Sequence, residues 1–279
     1  MLSLYKAAAR LPHSTEAAVN ALVKDILIAF RLENDYIVCF NSRYYVFSAV
    51  ETISANLIHL RQRIQAAAER AGRRSEEINL AAISKTVSTE LMLAAIQQGV
   101  RILGENRVQE ARWKWQEIGA ELHRCGCEFH LVGHLQSNKA KEAVRLFDLI
   151  HSLDSVKLAE ELNWRAGEIG KTQRVLIEVN SSGEANKFGA PPEEIAQLVD
   201  YTRSLPNVHV EGLMTIGPLS GGMEAARIAF RLLHRLREEC GGAVVLPELS
   251  MGMSQDFEAA IEEGATLIRV GTTIFGARV

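Results

Sequence analysis

Ile78-Asn79-Leu80-Ala81-Ala82-Ile83 is a short, mostly apolar run, Glu90 to Gln98 after it has helical spacing stopped by Gly99, and Arg101-Ile102-Leu103-Gly104 is a second short run. This strand–helix–strand unit decides the fold because it recurs. Further strand candidates are Glu128–Val132, Leu149–Leu153, Val175–Asn180, Val208–Thr215, Val245–Ser250 and Thr266–Val270. Between them lie helix candidates at 107–119, 138–146, 155–169, 192–204, 223–239 and 255–263. Most of the strands are continuously apolar rather than alternating, as expected when both faces of a parallel sheet are covered. Eight strands, the first seven each followed by a helix, predict a single α/β domain, a (β/α)8 TIM-like barrel of typically about 250 residues. A doubly wound open sheet is the structural alternative and would seat its ligand where the strand order reverses. The count of eight, and the lack of a G-x-G-x-x-G after the first strand, favour the barrel.

Upstream, Ile53, Leu57, Leu60, Ile64, Ala67, Ala68 and Ala71 recur at three- and four-residue steps up to Gly72, which predicts an extra helix over 51–72 before the first strand. Residues 1–50 differ in character. They contain no glycine, whereas the rest of the 279-residue chain holds all 20, and they carry four of the five tyrosines. An α/β domain needs glycines at its turns, so 1–48 reads as a poorly ordered or mis-annotated extension and 49–279 as the barrel. The apolar stretch Ala17–Phe30 is broken by Asn20, Lys24 and Asp25, too short and too charged to span a membrane, and it makes a poor signal peptide because no apolar core precedes a small-residue cleavage site; Lys6 and Arg10 would suit a transit peptide, but Glu16 and Asp25 argue against one.

The composition, 47% hydrophobic and 23% charged with net charge −3, excludes a disordered chain or a disulfide scaffold and gives no basic field for nucleic acid or a membrane surface. Four cysteines (Cys39, Cys125, Cys127, Cys240) read as reduced thiols of a cytoplasmic protein. Cys125-Gly126-Cys127 has no second pair at metal spacing, and His123, His130 and His134 do not complete a metal set. Trp113 and Trp115 read as packing residues, and Lys139, Lys141 and Arg145 as a solvated helix face.

In a barrel the chemistry sits at the C-terminal strand ends. Three constellations fall there. Lys85 closes an apolar strand, where lost solvation makes an amine a better nucleophile for a Schiff base; a lysine reaching out to solvent is the alternative. Ser254 is placed as the N-cap of the helix after strand seven, and Gly271-Thr272-Thr273 follows strand eight, the two loops that commonly hold phosphate; a plain cap and a plain turn are the alternatives. Arg269, among Leu267, Ile268 and Val270, needs a partner, either a ring nitrogen of a bound heterocycle or, better from pattern, a carboxylate in the barrel. Strand four brings His151, Ser152 and Asp154 toward the same end.

Ile83-Ser84-Lys85-Thr86, Gly104-Glu105-Asn106-Arg107-Val108-Gln109-Glu110, Phe129 through Lys139, Gly212-Leu213-Met214-Thr215, Leu249 through Asp256, and Ile268-Arg269-Val270-Gly271 through Phe275-Gly276 together resemble the pyridoxal phosphate homeostasis proteins. The resemblance runs from about residue 51 to the C-terminus. It implies a barrel of the alanine-racemase N-terminal-domain type and pyridoxal 5′-phosphate held as a Schiff base on Lys85. It also implies Arg269 facing the pyridine nitrogen, Ser254, Gly271 and Thr272 on the phosphate, and Asn106 and Met214 lining the ring pocket. Where some relatives carry a second lysine two residues on, this chain has Val87; Lys187 matches a family lysine at the mouth. The implied role is cofactor storage and delivery in vitamin B6 homeostasis by a monomer, with apo pyridoxal-phosphate enzymes as recipients. An amino-acid racemase is the competing function, and a phosphate-sugar barrel enzyme a third. Racemisation is expected to be weak or absent: past residue 50 the only tyrosine is Tyr201, inside a helix, and His134 is the one side chain placed to substitute as a second proton donor.

Overall fold

A computed structural model describes residues 35–184, 187–218 and 220–276, with side chains from Val50 onward. The chain divides at Glu51/Thr52, and the unit Thr52–Val279 is the barrel. Of the extension expected over 1–48, the first 34 residues lie outside the described residues.

Helix α1 spans Asp35–Arg70. Its side chains Ile53, Leu57, Leu60, Ile64, Ala67 and Ala68 are buried, the stripe the spacing predicts, and Ala71 lies past its end. The polar edge of the same helix is tied to the barrel: Arg63 pairs with Glu258, Arg70 with Glu262, and Asn56 Nδ2 donates to the Ile274 carbonyl.

The alternation then runs β1 (Asn79–Ile83), α2 (Thr89–Gln97), β2 (Ile102–Glu105), α3 (Val108–Arg124), β3 (Glu128–Leu131), α4 (Ala140–Leu146), β4 (Leu149–Leu153), α5 (Val156–Gly167), β5 (Gln173–Glu178), α6 (Ile195–Arg203), β6 (Val208–Met214), α7 (Gly222–Glu239), α8 (Gly242–Val245), β7 (Glu248–Ser250), α9 (Phe257–Glu262), β8 (Leu267–Val270) and α10 (Thr272–Phe275). Every strand is parallel to its neighbours, and β8 pairs with β1 through Asn79↔Leu267 and Ala81↔Arg269. The sheet closes in the order β1 to β8. This is the (β/α)8 barrel, and the open-sheet alternative falls because an open sheet has edges.

One boundary differs in kind from expectation. Val245 belongs to the short helix α8, not to β7. Gly241 and Gly242 have φ of +105° and +70°, a left-handed turn that restarts a helix, and Pro247 then bars the ladder N–H a longer strand needs. Trp113 is half exposed on the outer face of α3, whereas Trp115 stacks on Phe129 with ring centroids 6.0 Å apart. Phe129 in turn meets Phe147 at 5.2 Å. These rings form part of the outer core between barrel and helices, where deleting one costs about 3–5 kcal/mol.

Inside the barrel the residues alternate with the pleat. Ala81, Ile83, Val132 and Leu267 form one apolar cluster and Leu149, Leu176 and Met214 another. Between them the interior is polar, with His130, His151, Ser250 and Arg269 all buried.

Candidate functional site

Lys85 lies in the turn after β1, one residue past Ser84, whose amide donates to the Gly104 carbonyl. The β1–β2 pairing ends at Ile83↔Gly104, and Lys85 and Asn106 each lie two residues beyond it at the same end of the barrel. The loop after β3 closes on Asn106: a Cβ on Gly133 would stand 2.3 Å from the Asn106 carbonyl oxygen, so only glycine fits. Val87, the position of the second lysine in some relatives, is buried.

The backbone on both flanks of Lys85 is clamped. Lys114, on α3, is 1% exposed, and its Nζ donates to the Ser84 carbonyl at 2.6 Å, Glu105 Oε1 at 2.7 Å and Glu110 Oε1 at 2.7 Å. The Ser84 hydroxyl donates to Glu105 at 2.6 Å, and the Thr86 amide donates to Glu110 at 2.5 Å. Thr86 is the one described non-glycine residue with positive φ, +62°, a conformation that costs about 1–3 kcal/mol and is held here by that network. Burial pushes the Glu105 carboxyl above the ordinary range even with Lys114 and Ser84 opposing; Glu110, also partly buried, is nonetheless held below it by Lys114, the Thr86 amide and Arg107.

Sequence reading passes over Lys114, although a signal exists. Val108, Ala111, Lys114, Ile118 and Leu122 share one three- and four-residue phase, so a lysine on the buried stripe of α3 was legible, and Glu110 stands one turn before it.

Arg269 points into the barrel beside β1. Its NH1 donates to Ser250 Oγ at 2.6 Å and its NH2 to the Thr215 carbonyl at 2.7 Å. The carboxylate partner that pattern favoured is not there: among the described residues, no carboxylate lies within ion-pair distance of it. Two neutral acceptors hold the guanidinium from below instead. Burial lowers its pKa to about 10, with Glu178 and Asp256 opposing, and it remains cationic at neutral pH. Glu178, at the inner end of β5, is buried with Oε2 unpartnered, and burial with the nearby Asp154 raises it to about 7. It is a titratable group at the mouth that the sequence reading does not single out.

Ser254 is not the N-cap of α9. Asp256 holds that position and turns its Oδ1 back onto the Met253 amide at 2.6 Å. Gly252, at φ +90°, makes the intervening turn, and a Cβ there would meet Ala260 Cβ at 2.5 Å. The result frees the Ser254 hydroxyl for the loop after β8, where Thr272 Oγ1 donates to it at 3.1 Å. Gly271 precedes α10, so the first amides of that turn have no helical acceptor. Met214 is fully buried against Leu149 and Leu176, in the floor rather than the wall. His134 stacks on Phe188 at 3.8 Å between ring centroids, with Asp154 3.6 Å from its Nδ1. Lys187 pairs with Glu184 at 2.9 Å and donates to the Gly217 carbonyl at 3.4 Å. His151 lies inside β4 rather than at its end, wholly buried.

Because β8 closes on β1, the loops after β7 and β8, Arg269 and Lys85 occupy three consecutive strands of one mouth. The sequence family described as alanine racemase, N-terminal domain, matches residues 55–279. A pyridoxal phosphate homeostasis protein of Aquifex aeolicus is 48% identical over 219 residues, 78% of this chain and 94% of that one. The chain belongs to the pyridoxal phosphate homeostasis protein family. Its Escherichia coli K12 member is 38% identical over 230 residues, covering 81% of this chain and 97% of that one. PipY of Synechococcus elongatus, solved with PLP bound, superposes with TM-score 0.68 at 35% identity over 80% of this chain and all of that one. An alanine racemase of Clostridium difficile shares the fold at TM-score 0.62 and 16% identity, with 57% of its length matched. Among the described residues of this family member, no helix is long and apolar enough to cross a membrane and no three metal-ligating side chains converge.

Proposed function

We propose that this protein binds pyridoxal 5′-phosphate at the C-terminal mouth of the barrel and serves in vitamin B6 homeostasis, storing and delivering the cofactor without robust catalysis of its own. One observation carries the reading: an amine, a buried guanidinium and a pair of touching hydroxyls stand on three consecutive strands at one end of the barrel. The names of the Aquifex and Escherichia relatives and the PLP in PipY support it.

The residues suit the group. When bound, the cofactor supplies an aldehyde that condenses reversibly with a primary amine, with loss of water. Lys85 is the amine. Arg269, a donor with no lone pair, would face the ring nitrogen and favour its unprotonated form, which would make the ring a weaker electron sink than one paired with a carboxylate. Ser254, Thr272 and the amides from Gly271 onward hold the phosphate, and Asn106 lines the ring pocket beside Lys85. Met214 supports that pocket from beneath. Lys187, held by Glu184 and the Gly217 carbonyl, would offer a second amine on the loop after β5. The binding unit is 49–279, and the extension 1–48 plays no part in it.

The purified protein is expected to be yellow, and mixing the loaded protein with an apo pyridoxal-phosphate enzyme should transfer cofactor faster than the same concentration released into buffer. A colourless protein that borohydride does not label would sink the reading. Ser254→Ala removes a donor to a charged acceptor, about 1.5–3 kcal/mol, or roughly ten- to hundredfold in affinity for pyridoxal 5′-phosphate. Pyridoxal without the phosphate should bind unchanged; equal weakening of both would mean the mouth itself was disturbed.

A racemase is the second reading, favoured by the shared fold and by the raised Glu178. Two-base racemisation needs a donor on each face of the ring with pKa values suited to the task. Tyr201 is on α6 with its hydroxyl bonded to Glu160 at 2.7 Å, away from the mouth. His134 is engaged with Phe188 and Asp154, and Glu178 is buried at the end of β5. Deuterium exchange at Cα of alanine is therefore expected near background. Rapid exchange with turnover, abolished by His134→Ala or Glu178→Gln, would make the protein an enzyme.

A further inference from the structure

Arg269 is joined to the far end of the barrel by an unbroken run of hydrogen-bonded groups. Ser250 Oγ takes Arg269 NH1 at 2.6 Å and lies 3.0 Å from His151 Nδ1; His151 Nε2 lies 3.1 Å from His130 Nδ1; His130 Nε2 lies 2.8 Å from Glu128 Oε2. Ser250 and His151 are fully buried and His130 is 1% exposed. Glu128 opens β3 and lines a cavity of about 270 Å³ at the N-terminal end of the barrel, with Asn79, Arg101, Arg174 and Glu248.

Donor arithmetic gives this run a direction. A guanidinium only donates, so Ser250 Oγ accepts from Arg269. An ionised carboxylate only accepts, so His130 Nε2 carries a proton for Glu128. Glu128 is ionised, because the His130 hydrogen bond and Arg174 at 3.0 Å hold its carboxyl below the usual carboxylate range. If His130 is neutral, its Nδ1 is bare and must receive a proton from His151 Nε2. His151 Nδ1 is then bare in turn and takes the Ser250 hydroxyl hydrogen. Each link fixes the next, and no buried acceptor is left facing another.

The alternative places a second proton on His130. His151 would then carry its proton on Nδ1, and the Ser250 oxygen would accept from both sides. Around the run stand Arg174 of β5, shared between Glu128 and Glu211 of β6, Arg269 of β8 at the other end, and Arg101 of β2 and Glu248 of β7 in the lower cavity. The Ser250 hydroxyl opposes the alternative: its described partners are His151 Nδ1 and Arg269 NH1 alone, so with both donating to it the buried hydroxyl hydrogen would have no acceptor.

We infer that Ser250, His151 and His130 are a one-way positioning relay: both histidines are neutral, protonated on Nε2 alone, and the relay holds the Ser250 lone pair toward Arg269. Its consequence for ligand binding rests on the proposed function, since Arg269 is the group that faces the pyridine nitrogen there. The tautomers themselves do not depend on it.

Long-range proton–nitrogen NMR of the full-length protein without cofactor reads the tautomers directly. At neutral pH, both rings are expected with Nε2 protonated and Nδ1 bare. In Ser250→Ala, His151 Nδ1 should shift as it loses its donor, while the His130 signals stay in place and report an intact fold. In Glu128→Gln, whose amide can donate as well as accept, the preference at both rings should weaken, although that residue touches no ligand. An imidazolium at His130 or an Nδ1-protonated His151 overturns the relay. The ligand arm is separate: Ser250→Ala should still be labelled at Lys85 by borohydride with pyridoxal 5′-phosphate but bind it roughly ten- to hundredfold more weakly. Unchanged affinity overturns the positioning role, whereas a wild-type protein that takes up no cofactor overturns the proposed function and leaves the tautomer result standing.

Discussion

Lys85→Ala, loaded with pyridoxal 5′-phosphate and dialysed, is expected to come out colourless, and borohydride should fix no pyridoxyl group to it. The reasoning is energetic. Without an amine to condense with, the remaining contacts are hydrogen bonds to a phosphate and a ring nitrogen, each about 1.5–3 kcal/mol for a charged group. Association itself costs about 4–15 kcal/mol in lost translational and rotational freedom. A handful of such bonds leaves binding that dialysis removes. The amine is also prepared for its task by its neighbours. Ser84 and Thr86 are pinned by Lys114, Glu105 and Glu110, so the backbone that presents Lys85 does not have to order when ligand arrives. Peptide mapping after reduction of the wild-type protein should find the label on Lys85. A label on Lys187, or an equally yellow Lys85→Ala protein, would show that a different amine does the work.

The places of Lys85 just past an apolar strand and of Arg269 within one were legible in the runs around them, whereas the roles proposed for them toward a cofactor come from the family resemblance and not from the pattern. The barrel was legible because Leu80-Ala81-Ala82-Ile83 and most of its seven successors are continuous apolar runs separated by helical spacing, as a covered parallel sheet requires. What stayed hidden depends on distance in space. That Arg269 rests on Ser250 and the Thr215 carbonyl rather than on a carboxylate follows from which residues the barrel closure brings inward, and spacing along one strand does not contain that. Ser254 looked like a cap because it precedes a helix; only the left-handed turn at Gly252 moves the cap to Asp256. His151 was grouped with the strand-end residues although its strand was expected over Leu149–Leu153, as observed; it sits in mid-strand and the pleat turns it inward. Lys114 was hidden by habit rather than by physics, since a lysine within an amphipathic helix is usually on its wet face.

Lys114→Met is the substitution expected to cost the most stability, about 3–5 kcal/mol, because it strands a buried carboxylate rather than merely deleting a contact. For a barrel of this size that is a fall in Tm of roughly 6–20 °C. The cost should depend on pH in a definite sense. Glu105 is already raised by burial, and Lys114 is the strongest influence opposing the rise. Its loss lifts the folded-state pKa of Glu105 further above the unfolded value. The folded variant then holds a proton that the unfolded chain has released, so its stability falls as pH climbs from the ordinary carboxylate range through that raised value. Melting curves of the variant and the wild type should therefore converge toward mildly acidic pH and separate above neutrality. Adding Glu105→Gln removes the stranded charge, keeps an acceptor for the Ser84 hydroxyl, and should restore much of the loss, as neutralising both members of a buried pair commonly does. A single variant that melts like the wild type at every pH would mean that the clamp beneath Lys85 carries no weight in the fold. A double variant no better than the single one would mean that Lys114 acts through Glu110 and the Ser84 carbonyl instead.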